Sequence, residues 1–356
     1  MPAIKSLTLL TLAVGLCCQA NAAPQLRFGP DGTFKIVQFT DLHAGELESA
    51  DDQANQVQIA VLETEPADLV VFSGDLVSGY FYKLTNATPG WTEKLWRRLI
   101  EPVNAAGLPY AVVLGNHDVD GGGELKPREV LALDMRLSNL SLTQQGPQNI
   151  SHASNYYLDI FDAAGEEVAA RIWMLDSGDL GCGNVSQGWG CLETDILDWV
   201  VETSARLPSV PTALAFAHIP PPEAMELWDD YPTNGSRNVD VNCPRVATGV
   251  VGALREAGIQ ALHFGHDHSN DFYGVLDGVR LAYGRKTGYA SIDVAPNQEH
   301  GARVILLREG ESAADSETWI RKEDGQREDQ PETSWDVKLA SQQATCQDGL
   351  APLFQP

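Results

Sequence analysis

The sequence predicts an α/β protein in which parallel strands alternate with helices. Short apolar segments of strand length alternate along the chain with longer segments of helical periodicity. The first of them follow the order strand, helix, strand, helix, strand, which is the pattern of a parallel βαβαβ unit. Five strands are followed at once by polar residues that can bind metal. Open parallel sheets bind ligands at that edge, so the same segments predict both the fold class and a site.

The first half of the chain supplies the βαβαβ unit. Its predicted strands are 33–40, 68–73 and 110–114. The second is apolar in its middle, and the third is continuously apolar, as a strand covered on both faces should be. The helices between them are predicted at 51–63 and 92–106, where Pro66 and Gly107 mark the ends. A further helix is predicted at 128–137, and a polar surface loop follows it.

The second half continues with elements of similar length. Its predicted strands are 156–161, 170–176, 212–217, 259–264, 271–276, 279–283, 302–307 and 318–321, and its predicted helices are 194–205 and 245–257. Hairpins are expected between the first two of these strands and across Asp277–Gly278. The last two strands are expected to complete a second sheet. The glycine-rich segment 177–190 and the segment 229–244 are predicted to be loops.

The N-terminus indicates export from the cell. Lys5 precedes an apolar run at 7–16, and the small-residue pattern of a cleavage site follows at 20–22. Because this run is too short to span a bilayer, residues 1–22 are predicted to be a signal peptide, with a retained membrane anchor as the alternative. The remaining chain is predicted to form one domain at 23–322 and an acidic, largely irregular tail at 323–356. A secreted protein, or one in the lumen of the secretory pathway, is expected.

Sequons and cysteines support the same location. Glycosylation is predicted at five Asn-x-Ser/Thr sequons, which are Asn86, Asn139, Asn149, Asn184 and Asn234. Loss of the signal leaves four cysteines, an even number that favours disulfides in an oxidising compartment. The favoured pairs are Cys182 with Cys191 and Cys243 with Cys346, although three connectivities are open. Structural zinc is disfavoured because the chain has no CxxC pair.

The charge of the chain excludes one class of partner. With 24 basic and 49 acidic residues, the formal net charge is −25. Nucleic-acid binding requires clustered Lys and Arg, so we do not expect it. No segment after the signal is apolar enough to cross a membrane. The expected partner is a small anionic substrate attracted by bound cations, and the sequence predicts no oligomeric state.

The polar residues at the five strand ends predict a two-metal site. They are Asp41 and His43, Asp75, Asn116 with His117 and Asp118, His218, and His266 with His268. Any one of them alone is better explained as a cap, a turn or a core histidine. Together they mix imidazole with carboxylate, which suits iron, zinc or manganese better than calcium. Cations about 3.5 to 4 Å apart need a bridging carboxylate, and Asp75 follows a central strand.

The other ligands divide between the two cations. Asp41, His43 and His268 are assigned to the first metal, and Asn116, His218 and His266 to the second.

Three side chains are assigned supporting roles. His117 is left over as the group that would contact the phosphoryl group or protonate a leaving oxygen, with Asp118 as its orienting partner. Asp271 follows the last metal ligand closely and is expected either to orient a ligand imidazole or to cap a strand. Trp189 lies in the glycine-rich loop and is expected either to shape a leaving-group pocket or simply to pack.

The motifs Asp41-Leu-His43, Gly74-Asp75, Gly115-Asn-His-Asp118, His218 and Gly265-His-Asp-His268 resemble those of the calcineurin-like metallophosphoesterases. Within that family, the chain resembles the short purple-acid-phosphatase-like proteins of plants and fungi. The resemblance implies a four-layer sandwich of two mixed β-sheets flanked by helices. It also implies hydrolysis of phosphate esters by a metal-bound hydroxide.

The resemblance leaves the substrate open. A phosphomonoesterase is expected. The alternatives are a phosphodiesterase acting on nucleotides or lipid head groups, and a non-catalytic binding protein on a metal-stabilised scaffold. Purple acid phosphatases place a tyrosine where this chain has Ser78, which argues against a ferric-tyrosinate site. His43 would fill that position, and a redox-stable metal pair is an alternative to iron.

Overall fold

The computed structural model of the protein describes residues 24–118, 120–291, 294–295 and 298–340. The predicted signal peptide at 1–22 and Cys346 lie outside these ranges. The predictions made for them therefore stay predictions.

The strands and helices follow one another along most of the described chain. The strands are β1 (Thr33–Phe39), β2 (Leu69–Ser73), β3 (Tyr110–Val113), β4 (Tyr156–Phe161), β5 (Val168–Met174), β6 (Leu180–Cys182), β7 (Val185–Trp189), β8 (Thr212–Phe216), β9 (Thr233–Asn234), β10 (Ala261–Phe264), β11 (Tyr273–Leu276), β12 (Val279–Tyr283), β13 (Gly301–Arg308), β14 (Glu317–Lys322) and β15 (Arg327–Glu328). The helices are α1 (Glu48–Thr64), α2 (Phe81–Leu84), α3 (Trp91–Ala106), α4 (Pro127–Leu137), α5 (Thr194–Arg206), α6 (Glu223–Asp230), α7 (Val250–Glu256) and α8 (Trp335–Ala340).

The first sheet contains the predicted βαβαβ unit. Its strand order is β15-β14-β13-β1-β2-β3, and β1, β2 and β3 run parallel. In register, Phe39 lies opposite Phe72, and Phe72 lies opposite Val112. The carboxyl ends of the three parallel strands therefore meet at one edge of the sheet, which brings the residues that follow them together.

The second sheet has the order β4-β5-β8-β10-β12-β11-β9, with β5, β8, β10 and β12 parallel. Both predicted hairpins are present, since β4 pairs with β5 and β11 pairs with β12, each in antiparallel register. At the turn between β11 and β12, Asp277 has φ 50° and Gly278 has φ 84°. Two successive positive φ values are what a two-residue type I′ turn requires.

Three apolar clusters define the layers. One lies between the sheets and joins residues such as Ile36 and Val113 to Ile172 and Phe216. A second packs α1, α3 and α4 against the outer face of the first sheet. The third packs α5, α6 and α7 against the second sheet. The layers are therefore helix, sheet, sheet, helix, and the predicted fold class is confirmed.

The last strands join a different sheet from the one predicted. β13 pairs antiparallel with β1, and β14 pairs with β13, so both extend the first sheet rather than the second. Ala302 and Val304 of β13 pack toward the helices, whereas Ile305 and Leu307 pack between the sheets. A strand that is apolar on both faces fits the middle of either sheet, so its sequence does not choose between them.

Several short elements were not predicted. Helix α6 follows the predicted strand at 212–217 and ends just inside the predicted loop at 229–244, and that loop also contains β9. The predicted loop at 177–190 contains the hairpin β6-β7, and the predicted irregular tail contains β15 and α8. Within the described ranges, no helix combines the length and apolar character that a membrane-spanning segment requires.

Candidate metal centre

Residues that follow strands of both sheets meet at one site. Asp41 and His43 follow β1, Asp75 follows β2, and Asn116 follows β3 of the first sheet. His218 follows β8, and His266 and His268 follow β10 of the second sheet. Six of these seven side chains form two clusters of three, and within each cluster the potential ligand atoms all lie within 4.8 Å of one another.

The first cluster consists of Asp41, His43 and His268. The Nε2 atoms of the two histidines lie 3.0 Å apart, and His268 Nε2 lies 3.7 Å from Asp41 Oδ1. Asp41 and His43 are almost fully buried, and the side chain of His268 is 12% exposed. Two imidazoles and a carboxylate converging in this way match the ligand chemistry of zinc, iron or manganese.

The second cluster consists of Asp75, His218 and His266. Asp75 Oδ2 lies 2.9 Å from His218 Nε2 and 3.7 Å from His43 Nε2. One carboxylate oxygen thus approaches an imidazole of each cluster, as the predicted bridging role requires. On its far side, His218 Nδ1 donates to the backbone carbonyl of Ser73 at 2.9 Å, which leaves Nε2 to face the cluster.

Two buried polar atoms without hydrogen-bond partners indicate whether cations fit this site. Asn116 Oδ1 and His266 Nε2 are buried and have no hydrogen-bond partner among the described residues. A buried acceptor without a partner costs about 1 to 3 kcal/mol. Cations bound by the two clusters would give both atoms a partner, so the donor set present fits a two-metal centre.

The backbone at the site is unusual at four of these residues. Asp41, His43, Asp75 and His266 all have positive φ, between 53° and 75°. Positive φ is uncommon for residues other than glycine and is most often retained at functional sites. The ligands are thus held by turns that depart from regular strand geometry immediately after each strand ends.

Glycines of the motifs make room for the ligands. A Cβ at Gly115 would overlap Asp75, and one at Gly74 would overlap the His218 ring. A Cβ at Gly265 would overlap Thr40 and come within 2.7 Å of Asp41 Oδ2. Gly115 was predicted to permit a tight turn, and the structure shows that it also permits the close approach of Asp75.

The surroundings of the two clusters shift the pKa values of their histidines in opposite directions. Burial lowers the pKa of His43 and of His266 well below the usual range, so both rings are neutral and have a lone pair to offer. Burial also acts against charge on Asp75, but the neighbouring His218 and His117 outweigh it and hold its pKa well below the usual range. Burial disfavours charge on His218 too, yet Asp75 raises its pKa to about 10. A cation that binds His218 must therefore displace a proton.

His117 is set apart from the ligands. Its side chain is 30% exposed, and its Nδ1 lies 3.1 Å from Asp120 Oδ2. Burial lowers its pKa, but the charge of Asp75 and the hydrogen bond to Asp120 outweigh that effect and raise the pKa to about 9. The anionic neighbours Asp75 and Asp120 thus favour the protonated form of this imidazole, which lies at the open side of the site.

Asp118 does not orient His117, so that prediction is wrong. Its carboxylate instead accepts backbone N–H groups from Asp75, Leu76, Val77 and Gly115, at 2.8 to 3.0 Å. It therefore fixes the turn that carries the bridging carboxylate. The partner of His117 is instead Asp120. Asp120 follows His117 by three residues in the same polar run, and this spacing is the feature of the sequence that could have predicted the contact.

Asp271 lies in the framework beneath the site. Its carboxylate accepts from the backbone of Ser236 at 2.7 Å and pairs with Arg285. Neither contact is with a ligand imidazole or with the first residues of β11, so they join the segments after β9 and β12 to Asp271 instead. Beside His268 lies the buried Lys286, whose Nζ is 3.2 Å from Nδ1 of that ring.

The β6-β7 hairpin covers the second cluster. Cys182 and Cys191 form a disulfide across it, as predicted. The hairpin holds the Trp189 ring against His266, with ring centroids 4.4 Å apart, and the indole Nε1 is buried. Trp189 thus packs against a candidate ligand, a contact that fits both of its predicted roles.

The other predicted modification sites differ in accessibility. Asn86, Asn139, Asn149 and Asn184 are exposed. Asn234 is half-buried, and its amide nitrogen donates to the backbone carbonyl of Gln330 at 3.0 Å. Cys243 is fully buried, and its predicted partner Cys346 lies beyond the described residues.

Curated relatives cover most of the chain. It is 32% identical over 329 residues to an Arabidopsis thaliana protein named "Probable inactive purple acid phosphatase 28", which covers 83% of this chain and 79% of that protein. It is 28% identical over 341 residues to "Probable inactive purple acid phosphatase 29" of the same plant, covering 84% and 85% of the two chains.

A solved structure and a family model agree with these relatives. A dimetal phosphatase of Danio rerio shares the fold, with a TM-score of 0.55 and 12% sequence identity over 84% of this chain and 98% of that chain. The family model described as calcineurin-like phosphoesterase matches residues 34–270. The resemblance seen in the five motifs is therefore confirmed, and the chain belongs to the calcineurin-like phosphoesterase family.

Proposed function

We propose that this protein is a secreted, metal-dependent phosphomonoesterase. The observation that supports this proposal most strongly is the meeting of the two ligand clusters, Asp41–His43–His268 and Asp75–His218–His266, below His117. His117 is half-exposed at the open side of the site, Asp75 and Asp120 favour its protonated form, and such a group is needed next to a phosphate ester.

Each side chain has a distinct task in this proposal. The two clusters would hold the cations, with Asn116 completing the second and Asp75 shared between them. Bound cations would offset phosphate charge and make a water molecule a better nucleophile at neutral pH. His117 would donate its proton toward the leaving oxygen, while Asp120 keeps the ring oriented through Nδ1. Trp189 would limit the space for the leaving group over His266.

Secretion is supported by several independent features. They are the signal-like N-terminus, the four exposed sequons and the disulfide between Cys182 and Cys191. Disulfides of this kind persist in oxidising compartments.

A non-catalytic protein on the same scaffold is the second candidate, because both Arabidopsis relatives carry the word inactive in their names. The ligand set of this chain argues against it. Six of the seven predicted ligands lie in the two clusters, Asn116 is buried shortly after β3, and His117 belongs to neither cluster.

Hydrolysis assays with matched substrates test the proposal. The full chain would be supplied with Zn²⁺, Mn²⁺ or Fe²⁺ and offered an aryl phosphate monoester and the corresponding diester. We expect faster hydrolysis of the monoester and no hydrolysis by an Asp75→Ala variant. Preference for the diester would overturn the substrate assignment alone. Full metal occupancy with no hydrolysis of either ester would establish the non-catalytic alternative.

A further inference from the structure

A buried serine links one metal ligand to a carboxylate. Ser78 Oγ lies 3.0 Å from His43 Nδ1 and is also hydrogen-bonded to Glu46 Oε1. Ser78 is fully buried. The second carboxylate oxygen of Glu46, Oε2, accepts the backbone N–H of Ser291 at 2.8 Å. Glu46, Ser78 and His43 therefore form a continuous chain that ends in the first cluster.

The chemistry of the three groups fixes the direction of the hydrogen bonds. Glu46 Oε1 accepts the hydroxyl of Ser78 and also that of Tyr80, so the single hydroxyl proton of Ser78 points to Glu46. The lone pair of Ser78 Oγ is then directed at His43 and can only accept a proton from Nδ1. An imidazole that binds a cation is neutral and has one N–H, so its Nε2 must carry the lone pair.

That lone pair lies at the candidate metal position. His43 Nε2 is the atom that lies 3.0 Å from His268 Nε2 and 3.7 Å from Asp75 Oδ2. In the second cluster, a His218 ring that binds a cation would also have Nδ1–H and a lone pair on Nε2, but there Nδ1 donates to the backbone carbonyl of Ser73. A backbone carbonyl always accepts, whereas the first cluster depends on two replaceable side chains.

We propose that Glu46 and Ser78 are positioning residues that hold His43 in its Nδ1–H tautomer and thereby set the cation affinity of the Asp41–His43–His268 cluster. This inference rests on the metal centre of the proposed function and adds two residues to it. Partners of this kind, which hydrogen-bond to the distal nitrogen of a metal-binding histidine, typically change metal affinity by 10- to 100-fold when they are removed.

Two substitutions act on the chain at different points. Ser78→Ala removes the acceptor at Nδ1, so His43 should become a mixture of tautomers. Glu46→Gln keeps the shape but leaves one acceptor oxygen for three donors, because Glu46 Oε1 also accepts the Tyr80 hydroxyl at 3.2 Å and Oε2 accepts the Ser291 N–H. When the amide nitrogen faces Ser78, the serine proton turns to His43 Nδ1 and the ring proton lies on Nε2. This variant should therefore also become a mixture of tautomers.

The tautomer can be measured directly by ¹⁵N NMR on the metal-free full chain labelled at histidine, with the His43 signals assigned by their loss in a His43→Gln variant. We expect Nδ1–H in the wild type and a mixture of tautomers in both Ser78→Ala and Glu46→Gln. Calorimetric titration with Zn²⁺ alone should show one of two binding events weakened roughly 10- to 100-fold in both variants.

Ser154→Ala is the matched control. Ser154 is also a fully buried serine that donates to a carboxylate, Asp176, and accepts an N–H, that of Leu114. It contacts no ligand imidazole, so its loss should change neither the tautomer nor Zn²⁺ binding beyond any change in stability. In Ser78→Ala and Glu46→Gln, the Zn²⁺ binding event that keeps its wild-type affinity shows that the variant is folded.

The inference would be overturned by an Nε2–H tautomer in the wild type. It would also be overturned if Ser78→Ala and Glu46→Gln kept the wild-type tautomer and both wild-type affinities. A wild-type chain with the expected tautomer and two binding events but no hydrolysis would contradict the proposed function and leave this inference standing.

Discussion

Asp75 is the residue at which the two clusters meet. It accepts the backbone N–H of His117 through Oδ1 at 2.8 Å, while Oδ2 faces His218 and His43. One side chain therefore positions the catalytic candidate and a ligand of each cluster. Asp75 was identified from the sequence because it follows a central strand, but its contact with His117 depends on a turn geometry that no motif specifies.

At the residue scale, we expect His117→Ala to lose turnover and keep both metals. The ring touches neither cluster as a ligand, and general acid catalysis typically contributes roughly 100- to 10,000-fold. Steady-state kinetics with metal analysis on the same sample would check this expectation. Asp120→Asn should give a smaller loss, because the ring remains but its orientation is less constrained. Unchanged turnover in His117→Ala would remove this residue from the mechanism.

A second prediction concerns Asp118. Removing its carboxylate in Asp118→Ala leaves four backbone N–H groups without their acceptor, and each such group costs about 1 to 3 kcal/mol. We therefore expect the free energy of unfolding, measured in denaturant, to fall by at least about 3 kcal/mol. Asp120→Ala is the control, since its side chain contacts His117 rather than the backbone of the turn. Equal stability of the two variants would contradict the structural role of Asp118.

At the element scale, Glu65 ties the end of α1 to two strands. Its carboxylate is buried and accepts from Lys35 of β1 at 2.9 Å and from Trp319 and Arg321 of β14. Burial raises the pKa of Glu65, but the bonds to Lys35, Arg321 and Trp319 outweigh it, and the net pKa is lowered. The folded state thus prefers the ionised form more than the unfolded chain does.

This preference gives a pH dependence with a definite sign. The stabilisation by Glu65 is complete above its unfolded pKa, near 4.3, and is lost as the pH falls through the lower folded value. Glu65→Gln should lower the free energy of unfolding at pH 7 by roughly 3 to 5 kcal/mol, as expected when a buried ion pair loses one partner.

Glu65→Gln should also lose less stability than the wild type when the pH is lowered. Unfolding is followed in the presence of a chelator, so that metal binding does not contribute. Glu48→Gln, at an 85% exposed position of α1, is the control and should behave like the wild type. A parallel loss of stability in Glu65→Gln and wild type between pH 6 and pH 3 would exclude Glu65 as the source.

The sequence predicted most helices and strands but not every pairing between strands. The βαβαβ unit and both hairpins were predictable because each depends on local periodicity and turn residues, as at Asp277–Gly278. The placement of β13 beside β1 was not, because that pairing joins residues far apart in sequence and both faces of β13 are apolar. The candidate ligands were predicted from their positions after strands, whereas the contacts of Glu46, Ser78 and Asp120 are created only by the folded turns.

At the scale of the whole molecule, the candidate metal centre draws residues from both sheets. The first cluster takes Asp41 and His43 from the first sheet and His268 from the second. The second cluster takes Asp75 from the first sheet and His218 and His266 from the second. Bound cations would therefore cross-link the two halves of the sandwich at the edge that the inter-sheet core leaves open.

Metal removal should accordingly lower stability. A ligand that binds only the folded state adds roughly 4 kcal/mol at a free concentration a thousand times its Kd. We expect a chelator to lower the Tm of the wild type in calorimetry and re-added Zn²⁺ to restore it. His218→Ala, which removes a contribution from the second sheet, should show a smaller response. A wild-type Tm that does not respond to the chelator would show that the sheets are not joined by metal.

The central claim is that two cations held by these clusters make the chain a phosphoesterase. The most direct test is to titrate the metal-free chain with Mn²⁺ or Zn²⁺ and measure hydrolysis of an aryl phosphate monoester after each addition. We predict a rate that rises with added metal and saturates at two equivalents per chain. Two tightly bound equivalents with no hydrolysis, or hydrolysis that does not depend on metal, would contradict the claim.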